Sequence, residues 1–474
     1  MTPIGTAAHP LRVAIIGSGP SGFYAAEYLQ RQPELAVEID MFERLPTPFG
    51  LVRGGVAPDH PKIKSVTKVY DRIASHPAMR FYGNVTFGTD ITRDDLVRHY
   101  HAIIYAIGAQ TDRKLGIPGE ELPGSHSATE FVAWYNAHPE FRDRKFNFSH
   151  ESAAVIGVGN VAIDVARILL RSPQELYETD IADYALDALA RSNVKRVYLL
   201  GRRGPAQAAF ASGAVKELGE LANVDVVVAP EEVTLDPLSE AYIKSGAANE
   251  AAKNVETLVG YATRPLAHRD RQIIIRFLVS PVEIIGTDRV EAIKIVKNEL
   301  YETYDGAVRP RPTGEYEFIP VGLVFRSVGY RGEPLPEVPF NDKWGTIPND
   351  RGRVLTEHGT GKQLIGEYVV GWIKRGPSGV IGTNRPDAAE TVEMLLADLG
   401  AGKVLHPPES SRASVEALLV DRGVNYVSYE DWLLLDQLEQ DLGARIGRPR
   451  LKFSRVEDML EALEELRRPA GAGD

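Results

Sequence analysis

The apolar run from Leu11 to Ile16 stops at Gly17-Ser18-Gly19-Pro20-Ser21-Gly22, and a helical pattern continues from there to about Gln30. A second apolar run, Val37 to Phe42, ends on Glu43. Strand, glycine-rich turn, helix and strand in that order are the entry to a doubly wound α/β sheet. In the Gly-x-Gly-x-x-Gly spacing the first glycine permits the tight turn and the second lets a pyrophosphate approach the backbone. The third lets the helix close on the strand. The helix N-terminus then offers phosphate its unpaired N–H groups and the positive end of its dipole. Glu43 stands about 20 residues beyond Gly22, where an acid binds the hydroxyls of an adenosine ribose.

The pattern recurs. A strand at Ala153–Gly157 leads into Gly157-Val158-Gly159-Asn160-Val161-Ala162, with alanine in the third glycine's place, and a helix is predicted over Asn160–Leu170. The next strand, Arg196–Leu200, is followed by Gly201-Arg202-Arg203-Gly204 rather than by an acid. Arginine's planar fork suits a 2′-phosphate, so this second site should prefer NADP to NAD. Glu43 would repel that same phosphate. The first site is therefore expected to hold FAD and the second NADP(H).

With 474 residues the chain has room for about three domains of ~150 residues each. Its formal net charge of −11 argues against a nucleic-acid partner, which a basic field would attract. There is no cysteine, hence no disulfide, no redox dithiol and no Cys-ligated cluster in this chain. No metal site is expected. Met1–Pro10 lacks the features of a secretory signal and no apolar stretch nears the ~20 residues of a membrane span, so a cytoplasmic protein is expected. Further strands are predicted at Phe81–Phe87, Ala102–Ala106, Gln272–Pro281, Val290–Val296, Val321–Val328 and Tyr368–Trp372, with a turn at Pro310–Gly314 and a helix from about Arg385. From Ala401 on, capping-box spacing at Ser454-Arg455-Val456-Glu457, and a looser form at Ser428–Asp431, mark a small helical appendage.

Taken together these motifs resemble the adrenodoxin reductase-like NADPH–ferredoxin reductases, flavoproteins of the glutathione-reductase type. The resemblance rests on both glycine turns, Pro48–Arg53 with Gly55–His60, Gly83–Val85, Ala106–Gly108, Gly116–Glu120, Gly201–Pro205 and Gly371–Ile381. It covers nearly the whole chain. It implies an α/β fold of two Rossmann-like dinucleotide-binding domains: an FAD domain of residues 1–110 and 325–400, an NADP domain of 111–324, and the helical extension 401–474. It implies FAD contacts from Glu43, Leu51, Val85, Trp372, Gly379, Val380 and Ile381, with Gly108 beside them. Arg113, Asn160, Val161, Arg202, Arg203 and Gly379 are the implied NADP contacts, and His60 and Glu217 match a His–carboxylate pair near the redox centre. The glycines at 376, 379 and 382 would let backbone approach a flat ring system.

The activity this implies is NADPH–ferredoxin oxidoreduction: hydride from NADPH to FAD, then single electrons to a ferredoxin or adrenodoxin-like iron–sulfur protein. The absence of cysteine agrees with it, since disulfide reductases of this fold need a dithiol. One departure stands out. Relatives commonly carry a glutamate that contacts NADP where this chain has Ala214. The competing readings are a flavin oxidase, monooxygenase or quinone reductase, and a non-catalytic NADP(H)-binding sensor. Because ferredoxins are usually acidic, docking on so acidic a chain calls for a local basic patch. Lys216 is the first candidate for it, then Lys244 and Lys253.

Overall fold

The computed structural model describes residues 3–245 and 249–467. The chain divides into two compact units, one of Met1–Val56, His60–Thr111 and Tyr330–Asp474, the other of Ala57–Asp59 and Asp112–Gly329.

The first unit is built on a seven-stranded sheet. Its spatial order is Asn349–Asp350, Arg353–Leu355, Gln363–Val369, Ala102–Tyr105, Leu11–Ile16, Val37–Phe42 and Met79–Tyr82. The five strands from Gln363–Val369 to Met79–Tyr82 run parallel and the two at the other edge antiparallel. Leu11–Ile16 is wholly buried, as its unbroken apolar run requires of a strand covered on both faces. Beneath the ladder lies a buried charge cluster. Arg12 donates to Asp40 at 2.7 Å, Arg80 donates to both oxygens of Asp40 at 2.9 and 3.0 Å, and the Tyr100 hydroxyl donates at 2.7 Å. A carboxylate that is fully buried is tolerable only with such partners.

The second unit repeats the plan with six parallel strands, in the order Ser125–Ser127, Leu323–Arg326, Ser152–Ile156, Arg196–Leu200, Arg271–Arg276 and Val224–Val228. A separate antiparallel sheet, Val279–Ile285, Ala292–Glu302 and Val308–Pro320, is inserted before the chain returns to the strand Leu323–Arg326.

Several expected elements shift. The run expected as one strand over Gln272–Pro281 is two, because Leu278 turns left-handed at φ +52°. The strand expected at Phe81–Phe87 is Met79–Tyr82, and Asn84 at φ +57° carries the chain out of the sheet. Tyr368–Trp372 is not one strand either: the strand ends at Val369, and Trp372 opens a helical turn after Gly371 at φ +77°. The turn predicted at Pro310–Gly314 lies inside the strand Val308–Pro320. That strand is an edge strand, and Pro310 and Pro312, two residues apart, leave the same side of it without N–H groups, which an edge tolerates.

Residues 401–467 carry three helices, Arg412–Asp421, Tyr429–Arg445 and Val456–Arg467, and these pack into the first unit. Val427, Tyr429, Trp432, Leu435, Met459 and Leu463 share one core with Leu11, Val13, Phe23 and Tyr70. The looser box at Ser428–Asp431 closes, Ser428 and Asp431 capping each other's backbone N–H groups at 3.1 and 2.8 Å. At the other candidate, Met459 N–H donates to Arg455 O, so the helix Val456–Arg467 begins one residue later than the Ser454 spacing predicts.

Candidate functional site

Each unit carries a glycine turn at the carboxyl end of its central strand, beside the point where strand order reverses. This is where open α/β sheets bind ligands. In the first turn, Gly17 adopts φ +106°, and a Cβ there would lie 2.7 Å from Ala106 O. A Cβ at Gly19 would meet nothing within 4 Å, and one at Gly22 would lie 2.4 Å from Gly17 O. The glycines at 17 and 22 are therefore required by the turn and by helix packing. The surface at Gly19 stands open to a phosphate group. The helix Pro20–Gln30 has no side-chain cap, so its first N–H groups are left for a ligand.

Glu43 is held at the end of its strand: Oε2 accepts from Ser18 N–H at 3.1 Å and Ser18 Oγ at 2.7 Å, and Oε1 from Leu45 N–H at 3.2 Å. Val85, buried, donates its N–H to Glu43 O at 2.9 Å. The loop before Leu51 clasps the cradle, Phe49 N–H donating to Ser18 O at 3.0 Å, and a Cβ at Gly50 would touch Gly19 Cα. Leu51 opens a short helix whose Arg53 grips the buried carboxylate Glu439 and lies 5.0 Å from the Trp432 ring. Burial alone would raise Glu439, but Arg53 and Arg450 hold it below the usual carboxylate range. Gly108 lies in the loop after the strand Ala102–Tyr105 at φ +71° with open space around it.

On the same unit, half-buried Trp372 donates its indole N–H to Ser378 O at 3.0 Å, and its ring centroid is 5.3 Å from that of Tyr330. Gly376 and Gly379 adopt φ +84° and +79°. At Gly382 nothing would meet a Cβ within 4 Å. Gly379 and Val380 are exposed, Ile381 half-buried, and the helix Asn384–Gly400 follows directly. Asp387 on that helix accepts from Gly371 N–H at 2.6 Å, which sequence reasoning missed.

The second cradle has the same construction. Gly157, at φ +135°, would place a Cβ 2.2 Å from Ser327 O, whereas one at Gly159 would meet nothing within 4 Å. Buried Ala162 stands in the position of Gly22, and the helix Asn160–Leu170 again lacks a side-chain cap. Asn160 Oδ1 accepts from Ala211 N–H at 2.7 Å and Val161 is half-buried. Arg202 is exposed and Arg203 half-buried, and among the described residues neither has a carboxylate partner. Burial and then the neighbouring Arg202 press the Arg203 guanidinium below its ordinary range. Two adjacent cations without a counter-charge make a ready anion site. Both cradles thus fit a dinucleotide, and only the second fits an additional phosphate.

Arg113 is exposed, its N–H donating to Gly329 O at 3.1 Å. Glu217 lies 3.6 Å from Arg167, a buried side chain that also donates to Asp59 at 2.6 and 3.0 Å. His60 is half-buried in the first unit, its carbonyl accepting from Ile63 and Lys64 N–H. Ala214 packs partly buried against the second unit's core. Of the candidate docking lysines, Lys216 and Lys253 are exposed, while Lys244 is paired with Glu240 at 2.9 Å.

The fold and this pair of cradles define a two-dinucleotide α/β oxidoreductase. A family model described as pyridine nucleotide-disulphide oxidoreductase matches residues 11–227. Over 460 residues, 95% of this chain and 98% of the relative, the sequence is 46% identical to NADPH-ferredoxin reductase FprA of Mycobacterium tuberculosis. It is 40% identical to the human mitochondrial NADPH:adrenodoxin oxidoreductase, covering 95% of this chain and 92% of that one. The structure of Mycobacterium tuberculosis FprA in complex with NADPH aligns with a TM-score of 0.90 at 45% identity, over 96% of this chain and all of that one. The chain belongs to the NADPH–ferredoxin reductase family that includes adrenodoxin reductase.

Proposed function

We propose that this protein is an NADPH–ferredoxin oxidoreductase, with FAD in the first cradle, NADP(H) in the second and a ferredoxin or adrenodoxin-like iron–sulfur protein as electron acceptor. The observation that carries the reading is the opposite chemistry of two otherwise matching cradles, a fixed carboxylate at one and an unpartnered arginine pair at the other. Bound FAD would supply the conversion between two-electron and one-electron transfer. The chain's own residues orient and shield. Glu43 takes the adenosine ribose hydroxyls, and Gly19 and Gly159 admit the pyrophosphates against helix N-termini. Arg202 and Arg203 neutralise the 2′-phosphate, with Arg113, Asn160 and Val161 as further coenzyme contacts. Trp372 and the Gly379–Ile381 backbone form a wall for a flat ring, with Leu51 and Val85 on the FAD side. His60 and Glu217 act around the flavin edge, tuning reduction or acceptor access without an obligatory proton transfer.

No helix among the described residues is long and apolar enough to cross a membrane, and we place the reaction in the cytoplasm. Rapid mixing of the holoprotein with NADPH, followed by a ferredoxin of the source organism, tests this reading. Bleaching of the flavin absorbance and its recovery on ferredoxin reduction are expected. Recovery by dioxygen at the same rate without ferredoxin would make the protein an oxidase instead, and no bleaching at all would leave a coenzyme sensor.

A further inference from the structure

The Arg202–Arg203 turn is held from behind by the inserted antiparallel sheet. Three consecutive carbonyl oxygens of the turn are taken by it and by Leu278 just before it: Gly201 O accepts from Val279 N–H at 3.0 Å, Arg202 O from Asn298 Nδ2 at 2.9 Å, and Arg203 O from Leu278 N–H at 3.1 Å. Only the middle bond comes from a side chain. Asn298 is 6% exposed, and its Nδ2 also donates to Ser280 Oγ at 2.8 Å. Its own N–H donates to Leu278 O at 2.7 Å. The ladder between Ala292–Glu302 and Val308–Pro320 slips register between Val296 and Asn298, the kind of irregularity that re-aims one side chain. Arg276, at the end of the parallel strand that leads into this sheet, is already neutralised: it donates to both oxygens of Glu317 at 3.0 Å and to Glu232. The arginines at 202 and 203 are not.

We propose that Asn298 is a positioning residue for coenzyme selection. By holding the Arg202 carbonyl into the sheet it turns the two guanidinium groups outward, and so sets how well the second cradle tells a 2′-phosphate from a 2′-hydroxyl. Asn298 itself touches no coenzyme. The inference rests on the NADP(H) reading of that cradle.

Titration calorimetry of the holoprotein with 2′,5′-ADP and with 5′-ADP tests it, alongside KM and kcat for NADPH. In Asn298→Ala the affinity for 2′,5′-ADP should fall by about five- to tenfold, the loss of one buried hydrogen bond, with 5′-ADP unchanged within about twofold. KM for NADPH should rise with kcat kept. Ser280→Ala, which removes only the second partner of Asn298, should shift the same preference less. Equal weakening of both ligands, or no change in either, overturns the positioning role. Should Asn298→Ala not fold, Ser280→Ala decides alone, and a preference equal to the unaltered protein's overturns it. The double variant Arg202→Ala/Arg203→Ala separates the two levels. If it keeps the preference for 2′,5′-ADP, the 2′-phosphate reading itself fails. If it abolishes that preference while Asn298→Ala does not, only the role of Asn298 fails.

Discussion

The two cradles match bond for bond until the next strand ends. Gly17 N–H donates to Phe42 O at 2.8 Å and Gly157 N–H to Leu200 O at 2.9 Å; Ala106 N–H donates to Ile16 O at 2.7 Å and Ser327 N–H to Ile156 O at 2.9 Å. At the next strand's end the first unit has a carboxylate tied to the turn by Ser18, and the second has two unpartnered guanidinium groups. On the reading proposed above, the backbone accounts for what the cradles would share, a pyrophosphate, and two or three side chains at the neighbouring strand's tip decide which dinucleotide each accepts. The supports differ too. The first cradle is braced by the C-terminal helices through Arg53 and Glu439, the second by an inserted sheet.

The strongest way to break this comparison is to neutralise the arginines. A charge-assisted hydrogen bond contributes about 1.5–3 kcal/mol, so Arg202→Ala and Arg203→Ala should each raise the dissociation constant for NADPH by roughly ten- to a hundredfold while that for NADH stays level. Fluorescence titration reads both, and parallel losses would show that the pair does not face the 2′-phosphate.

Exchanging the third glycine position sharpens the comparison. A Cβ at Gly22 would lie 2.4 Å from Gly17 O, so Gly22→Ala must push the helix off its turn. The cost should be about 1–3 kcal/mol of stability, with loss of bound flavin on gel filtration. The reverse change, Ala162→Gly, should cost only about 1 kcal/mol from helix propensity, with flavin kept. Flavin retention in Gly22→Ala equal to that of the unaltered protein would show that the first cradle tolerates what the second already has.

Each unit also holds a histidine whose pKa is lowered by burial, fully buried His101 in the first and half-buried His126 in the second. His101 Nδ1 accepts from Arg12 N–H at 3.0 Å, and burial, with His9 and Arg12 nearby, pushes its pKa down to about 4. His126, beside the Phe146 and Phe325 rings, is also pushed down to about 4, by burial and then by Arg326 and Arg144. In the unfolded chain both would titrate near 6.5. The folded state therefore binds fewer protons in the window between. Stability should be full above about pH 6.5 and fall as pH drops toward 4. A urea midpoint that stays flat across that window contradicts the burial of both rings.

Much of this was legible in the residue order. The strands Leu11–Ile16, Val37–Phe42 and Arg196–Leu200 and the helix Asn160–Leu170 lie where periodicity puts them, because a buried parallel strand and a glycine-opened helix are local signals. The opposed ends, Glu43 and Arg202-Arg203, are local as well. What sequence alone did not show depends on distant pairing. Nothing near Asn298 marks it as reaching a carbonyl almost a hundred residues earlier in the chain. Trp432 and Leu463 pack with Leu11 and Phe23, and Glu439 meets Arg53, so how closely the C-terminal helices join the first unit is not visible in their own stretch of sequence. Pro310 and Pro312 suggested a turn because edge position, which makes them harmless in a strand, is not a sequence property.

The central claim is that one cradle holds FAD and the other reads a 2′-phosphate. It is tested most directly by following the flavin absorbance of the purified protein while it is titrated anaerobically with NADPH and, separately, with NADH. A yellow protein that releases FAD on acid extraction, and is half-bleached by NADPH at least about tenfold lower in concentration than by NADH, is the predicted result. A colourless protein, one that releases FMN, or one bleached equally by both coenzymes would contradict it.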